Sequence, residues 1–226
     1  MNSPDLVSSL AALSDDAEGF VLAGGRSSRM GKDKALVQLD GQPLVAHAIN
    51  CLRQAGLAVS IAGGKKSLAA FAPMVEEPQS GLGPLSGICA ALESTRSRLA
   101  VFLPVDLPMM PASLVRALLQ HAAVARRAVT LASLNGFALT FPAVLDRLAL
   151  PTLQSELASG RGGCLAAFRA AAAKLGESLS VLSVEMLVQT GQVADPAGHP
   201  PVRWFLNVNT EQDLRRAEVF RQTFIA

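Results

Sequence analysis

One stretch limits the possible folds more than any other: Phe20-Val21-Leu22, a short apolar run that stops at Gly24-Gly25. The run reads as a buried strand. A loop of small and basic residues follows it: Gly25, Arg26, Ser27, Ser28, Arg29, Gly31, Lys32 and Lys34. Glycine allows tight turns and lets backbone approach a ligand closely. Amides gathered in one loop, beside two arginines and two lysines, make a polyphosphate site. Strands alternate with helices along the rest of the chain. That pattern implies a three-layer α/β/α fold with a mostly parallel sheet, whose ligands collect at the carboxyl ends of the strands.

Two common phosphate loops do not fit. The P-loop has four residues between its first glycine and Gly-Lys, then Ser or Thr; here five residues separate Gly25 from Gly31, and Asp33 follows Lys32. The dinucleotide fingerprint spaces its glycines as Gly-x-Gly-x-x-Gly, whereas Gly24 and Gly25 are adjacent. A third pattern does fit. Leu22-Ala23-Gly24-Gly25-Arg-Ser-Ser-Arg29-Met-Gly-Lys-Asp-Lys34-Ala-Leu, followed by Gly41-x-Pro43-Leu44, resembles the opening of the molybdenum cofactor guanylyltransferases. These belong to the Rossmann-like nucleotidyltransferases of the nucleotide-diphospho-sugar transferase type.

Further along, Ala35–Leu39 reads as a brief extended piece. A helix then carries Leu44, Val45, Ala48, Ile49 and Leu52 on one face and ends at Gly56, with His47 off the stripe on the solvent side. Ala58–Ala62 is a strand stopped by Gly63-Gly64, and Lys65 and Lys66 follow as a solvated pair. Pro73–Val75 reads as a further short strand. Glu76 and Glu77 then precede Gly81-Leu-Gly83-Pro84-Leu85-Ser-Gly87-Ile88, which opens a helix with Pro84 in its first turn. This second stretch also resembles the family, where it helps hold base and ribose. A carboxylate just upstream can accept from guanine N1–H and the amino group. The family commonly has Asp there, and this chain has Glu77.

Leu99–Leu103 is the next buried strand and runs into Pro104-Val105-Asp106-Leu107-Pro108. An acid at a central strand end, between stiffening prolines, is placed to hold a cation. The segment resembles the family's Pro-x-Asp-x-Pro element, which implies that Asp106 binds magnesium. A helix over 112–122, a strand over Ala128–Leu131, an Asn135-Gly136 hairpin turn and an extended Phe137–Phe141 follow. The family usually carries His-Pro in this region; here Phe141-Pro142 lacks the His. Residues 142–176 read as two or three helices interrupted by Pro151 and by Gly160-Arg161-Gly162-Gly163. Related proteins place an Arg at Arg161 toward the acceptor phosphate. Ser180–Val184 reads as a strand and 190–202 as a loop. In the extended Trp204–Thr210, Asn207 and Asn209 face the same way, and Thr210 with Asp213 forms a capping box for a last helix. Asn207-Val-Asn209-Thr-x-x-Asp-Leu is a third stretch similar to the family, where it lies beside acceptor and metal. The resemblance covers about residues 19–110 and 203–216.

Composition sets the outer limits. The 226 residues, half of them hydrophobic, suffice for one large domain, with net charge +2. We expect 1–18 to be an N-terminal extension, possessing no basic start followed by a long apolar stretch of the secretory kind. A short helix through Leu13, opened by Ser3-Pro4-Asp5, is expected within it. The resemblance implies that residues 19–226 form a single nucleotidyltransferase domain, with 19–110 binding nucleotide and 111–226 binding acceptor. The near-balanced charge implies no broad nucleic-acid or membrane surface. Cys51, Cys89 and Cys164 form neither a disulfide framework nor a metal spacing, which fits a reducing cytoplasm.

The resemblance implies transfer of GMP from GTP to the phosphate of molybdopterin, with release of pyrophosphate and with Mg2+ as cofactor. Lys34, Arg29 and Asp106 are the catalytic residues it points to. Leu22, Ala23, Gly24, Gly25, Lys34, Glu77, Gly83, Pro84 and Leu85 would bind the nucleotide. Asn207, Asn209 and Arg161 would bind the acceptor. Other cofactor-biosynthesis proteins or a molybdoenzyme are implied partners. Two alternatives stay open: use of CTP or of a sugar-phosphate acceptor, and a nucleotide-binding paralogue without turnover that serves as a partner protein. An oxidoreductase of Rossmann type fails at the glycine pattern.

Overall fold

A computed structural model of the protein describes residues 16–24, 33–77, 83–160 and 163–222. The expected 1–13 helix and most of the basic loop lie outside these residues. Nine strands are described: β1 (Ala17–Leu22), β2 (Gln38–Leu39), β3 (Gln42–Pro43), β4 (Ala58–Ala62), β5 (Met74–Val75), β6 (Leu99–Pro104), β7 (Val129–Leu134), β8 (Phe137–Asp146) and β9 (Ser180–Ser183). The helices are α1 (Leu44–Gln54), α2 (Pro84–Ser94), α3 (Ala112–Ala125), α4 (Leu150–Ser159), α5 (Cys164–Lys174), α6 (Val184–Gln189), α7 (Pro201–Trp204) and α8 (Glu211–Gln222).

Seven strands form one sheet in the order β5-β4-β1-β6-β8-β7-β9, and β2 and β3 form a separate hairpin. The strands β5, β4, β1 and β6 are mutually parallel. Only β8 runs against its neighbours β6 and β7. Its direction follows from the turn before it. Asn135 and Gly136 both have positive φ, 51° and 79°, the backbone that a two-residue hairpin demands.

Alternation along the central strands builds two cores. On β6, Leu99, Val101 and Leu103 face one side, shared with α1 and α3. Ala100 and Phe102 face the other, shared with α2, α4 and α5. On that second side Phe20 stacks on Phe102 with ring centroids 5.6 Å apart. A sheet covered on both faces explains why β6, and Phe20–Leu22 of β1, read as apolar runs. Cys51, Cys89 and Cys164 are free and buried. Burial pushes their thiols up to about 12, 11 and 11, so they are small core residues rather than nucleophiles.

Four sequence expectations are corrected. Residues 142–146 are not helical, because β8 continues through Ala143, Val144 and Leu145, which pair with β6 and are fully buried. An apolar run between two strands gains both ladder bonds and two-sided burial by staying extended. The Phe141–Pro142 peptide is cis. Pro151 opens α4 in its first turn instead of interrupting a helix. Lys34–Leu36 forms a 3-10 turn rather than an extended piece. His47 is half-buried and bonded at both ring nitrogens: Nε2 lies 2.8 Å from Leu39 O, and Nδ1 lies 3.1 Å from Arg221 Nη1.

Candidate nucleotide site

Parallel pairing delivers four chain segments to one edge of the sheet. Leu22 is level with Ala62 and with Pro104, and Ala62 is level with Val75. Beyond these residues come Ala23-Gly24, Gly63-Gly64, Glu76-Glu77 and Val105-Asp106. Two backbone bonds hold the segments together past the strands: Ala23 N–H donates to Ala62 O at 3.1 Å, and Val105 N–H to Leu22 O at 3.2 Å. Val208 N–H donates to Asp106 O at 3.0 Å. That bond lays the segment before α8 along the same edge.

Lys34 enters from a turn built to present it. Asp33 caps the turn by accepting from Ala35 N–H at 3.2 Å, and Ala35 is buried against the α1 side. The Lys34 ammonium donates to Asp106 Oδ2 at 2.8 Å and also to Asn209 Oδ1. The side chains of Lys34 and Asp106 are only 19% and 23% exposed, so this charge-assisted bond is less screened than a surface pair. Residues 72 and 175 positions apart thus meet on one cation. Asn207 and Asn209 are exposed while Val208 between them is buried, the same-face arrangement that the sequence spacing requires. Lys65 Nζ lies 3.7 Å from the other carboxylate oxygen of Asp33. At 71% exposure of the lysine such a pair adds little.

Glu77 occupies a niche made by missing side chains. A Cβ on Gly63 would lie 2.3 Å from Glu77 Oε1, one on Gly87 2.8 Å, and one on Gly24 3.5 Å. Gly63 also has φ +75°, where side chains are strained. Burial in this niche raises the Glu77 carboxyl above its ordinary range. Sequence reasoning found Glu77, Gly24 and the base-and-ribose stretch that contains Gly87, but took Gly63 merely as a strand stop. Adjacent glycines directly past a strand end were the available signal. Gly83 leads into α2 at φ +82°, with Pro84 in the first turn. Leu22 and Leu85 are buried in the core, so they can meet a ligand only through backbone. Gly25, Arg29 and Arg161 lie outside the described residues.

Oxygen chemistry at this edge suits magnesium. Asp106 Oδ2 and Asn209 Oδ1 already converge on one positive centre, the Lys34 ammonium. Among the described residues no group of three or more His, Cys, Asp or Glu side chains gathers, here or elsewhere. Magnesium bound through substrate phosphates needs one or two protein acids, not a cage, and the donor set fits that mode.

The profile of the MobA-like NTP transferase domain matches residues 19–184, most of the chain. The chain belongs to that family. Its relatives include a molybdenum cofactor guanylyltransferase of Xanthomonas euvesicatoria, 41% identical over 112 residues that span 47% of this chain and 57% of the relative. Another of the same name, from Pseudomonas putida KT2440, is 34% identical over 146 residues, 62% of this chain and 76% of the relative. The chain therefore spans little more than half the length of the first of these. Molybdopterin-guanine dinucleotide biosynthesis protein A from Archaeoglobus fulgidus superposes with TM-score 0.72 at 20% identity, over 91% of this chain and 99% of that one. That likeness extends the shared fold beyond the part that the family profile matches. Among the described residues no helix is long and apolar enough to cross a membrane.

Proposed function

We infer that this member of the family transfers GMP from GTP to the phosphate of molybdopterin, releasing pyrophosphate. The observation that carries this reading is the meeting of Lys34, Asp106 and Asn209 from three distant segments, at the strand edge where the glycine-rich β1 loop begins. The relatives' names, molybdenum cofactor guanylyltransferase and molybdopterin-guanine dinucleotide biosynthesis protein A, support this choice of substrates. An acceptor phosphate oxygen attacks the α-phosphorus of GTP. A new P–O bond forms, the bond to the bridging oxygen breaks, and pyrophosphate leaves with that electron pair. The acceptor phosphate is already ionised near neutral pH, so positioning and charge stabilisation dominate.

Each residue has a role in this reading. Backbone of Leu22, Ala23, Gly24 and Gly25, with Arg29, cradles the β- and γ-phosphates. Lys34 leaves its resting partners to neutralise charge at the α-phosphate. Asp106 holds Mg2+, which when bound offsets the negative charge of the phosphate oxygens. Glu77 accepts from guanine N1–H and the amino group, and Gly83, Pro84 and Leu85 form the wall beside base and ribose. Asn207, Asn209 and Arg161 face the acceptor. The nucleotide part is 19–110 and the acceptor part 111–226, with 1–18 as an extension. A cytoplasmic site of action is consistent with three free, buried cysteines. Hand-over of the product to a molybdoenzyme or another cofactor-biosynthesis protein completes the proposal.

The deciding experiment is thermal melting with Mg2+ plus GTP, CTP, ATP, UTP or NADH, since a ligand of the folded state raises the midpoint. A shift with GTP alone, followed by pyrophosphate release with molybdopterin, is expected. A larger shift with CTP would move the chain to cytidylyl transfer. Binding without pyrophosphate release would favour the partner-protein role.

A further inference from the structure

The helix that follows Asn209 is poorly anchored by apolar contacts. Among residues 211–221 Ala217 alone is fully buried, with Leu214 partly packed on the core. Polar contacts at its two ends therefore decide where it sits. At the start, the Asp213 carboxylate accepts from Asn209 N–H at 3.1 Å, Thr210 N–H at 2.9 Å and the Thr210 hydroxyl at 2.8 Å. The orientation of Asn209 is thereby tied to the axis of α8. At the far end, Arg221 Nε donates to Asp40 Oδ2 at 2.6 Å, and Arg221 Nη1 approaches His47 Nδ1 at 3.1 Å. Phe220 O accepts from His199 Nε2 at 3.1 Å, and Arg203 lies 4.1 Å over the Phe220 ring.

Asp40 sits at the turn of the β2–β3 hairpin, with φ 50°. That hairpin follows directly on the turn that carries Lys34. Arg221 thus joins, at their distal ends, the two segments whose near ends bring Lys34 and Asn209 together. We propose that Arg221, held by Asp40 and His47, is a positioning residue that sets Asn209 against Lys34 and Asp106. The inference rests on the nucleotidyl-transfer reading of that site, but its geometry can be tested separately.

A pH signature follows from the bonding pattern. Leu39 O can only accept, so His47 Nε2 carries the proton. Nδ1 must then be bare to accept from Arg221. A second proton on His47 abolishes that bond and sets two cations side by side; Asp40 is the opposing acid. Burial, the larger cause, and the Arg221 charge both hold the His47 ring below its ordinary range.

The test compares the full-length wild type with Arg221→Met, which keeps the stem and loses the fork, and with the milder Asp40→Asn. Hydrogen exchange should rise in 206–213 in both variants, far from the altered side chains. In the transfer assay we expect kcat to fall by about 10-fold or more, as for other residues that orient a site ligand, with the KM for GTP little changed. The acid limb of the wild-type rate that follows His47 should vanish in Arg221→Met, and the His47 ring should titrate closer to its ordinary range by NMR. Unchanged exchange in 206–213, or wild-type kcat with the acid limb intact, would overturn the proposal. Failure of wild type to release pyrophosphate would defeat the guanylyl-transfer reading instead, and the exchange data would still judge the clamp.

Discussion

Gly63→Ala offers the sharpest probe of base recognition. The backbone there has φ +75°, and the new Cβ would stand 2.3 Å from Glu77 Oε1 and 3.3 Å from Gly24 Cα. An L-residue in left-handed conformation costs roughly 1–2 kcal/mol. For a chain of this size that corresponds to a drop of about 2–8 °C in Tm. The overlap with Oε1 is relieved because Glu77 is a flexible side chain that can swing out of the niche. Swinging out removes the acceptor that guanine would meet. Losing a single hydrogen bond to a charged group removes about 1.5–3 kcal/mol, or roughly 10- to 150-fold in Kd for Mg-GTP. Gly191→Ala is the matched control. It has φ +72° with nothing within 4 Å, so it carries the strain without touching the site. Calorimetric titration of Mg-GTP into both variants reads the difference. If Gly63→Ala binds GTP as tightly as Gly191→Ala, the Glu77 niche does not hold the base and the argument fails.

Three further outcomes are expected. Lys34→Ala and Asp106→Ala should each lower pyrophosphate release by roughly 10²- to 10³-fold, the size of losing one preorganised electrostatic group, with circular dichroism unchanged; near-wild-type turnover in either would remove the mechanism. Glu77→Gln substitutes a donor for half of the acceptor and should weaken GTP relative to ATP or CTP by about 10-fold or more, read by the ligand-induced shift in Tm; equal shifts would exclude Glu77 from base readout. Stability should fall with acid because His47 is held below 6.5 in the fold. The neutral ring is the bonded one, so its contribution is complete above the unfolded value and is lost as pH drops through the folded value. Urea denaturation between neutral pH and about pH 5, compared with His47→Gln, measures this, and identical slopes in the two proteins would contradict it.

Much of the candidate site was legible in the linear chain because it is written in short local patterns. The Gly24-Gly25 loop, Pro104-x-Asp106-x-Pro108 and Asn207-x-Asn209 each sit at the end of an element whose period shows in the residues around it. Thr210 and Asp213 announce the last helix, and the capping bonds are formed in both directions. Asn135-Gly136 fixes a hairpin because few other residues accept its backbone.

What the sequence by itself determined is therefore the type of most strands and helices, the side of each that is apolar, and the residues that can bear charge at a strand end. What only the tertiary structure decided is which of these meet. Nothing local says that Ala143–Leu145 stays extended; pairing with β6 and burial on both faces do. Nothing local marks Gly63 and Gly87 as the walls around Glu77, since a missing side chain matters only when another group comes to fill the space. His47 looked like a solvent residue on its own helix until Arg221, 174 positions later, was brought against it. Asp106 and Asn209 likewise come to share the Lys34 ammonium only in the folded chain, where Val208 N–H bonds to Asp106 O. Contacts between distant segments depend on strand order and register, which are set by the sum of all packing rather than by any one stretch of residues.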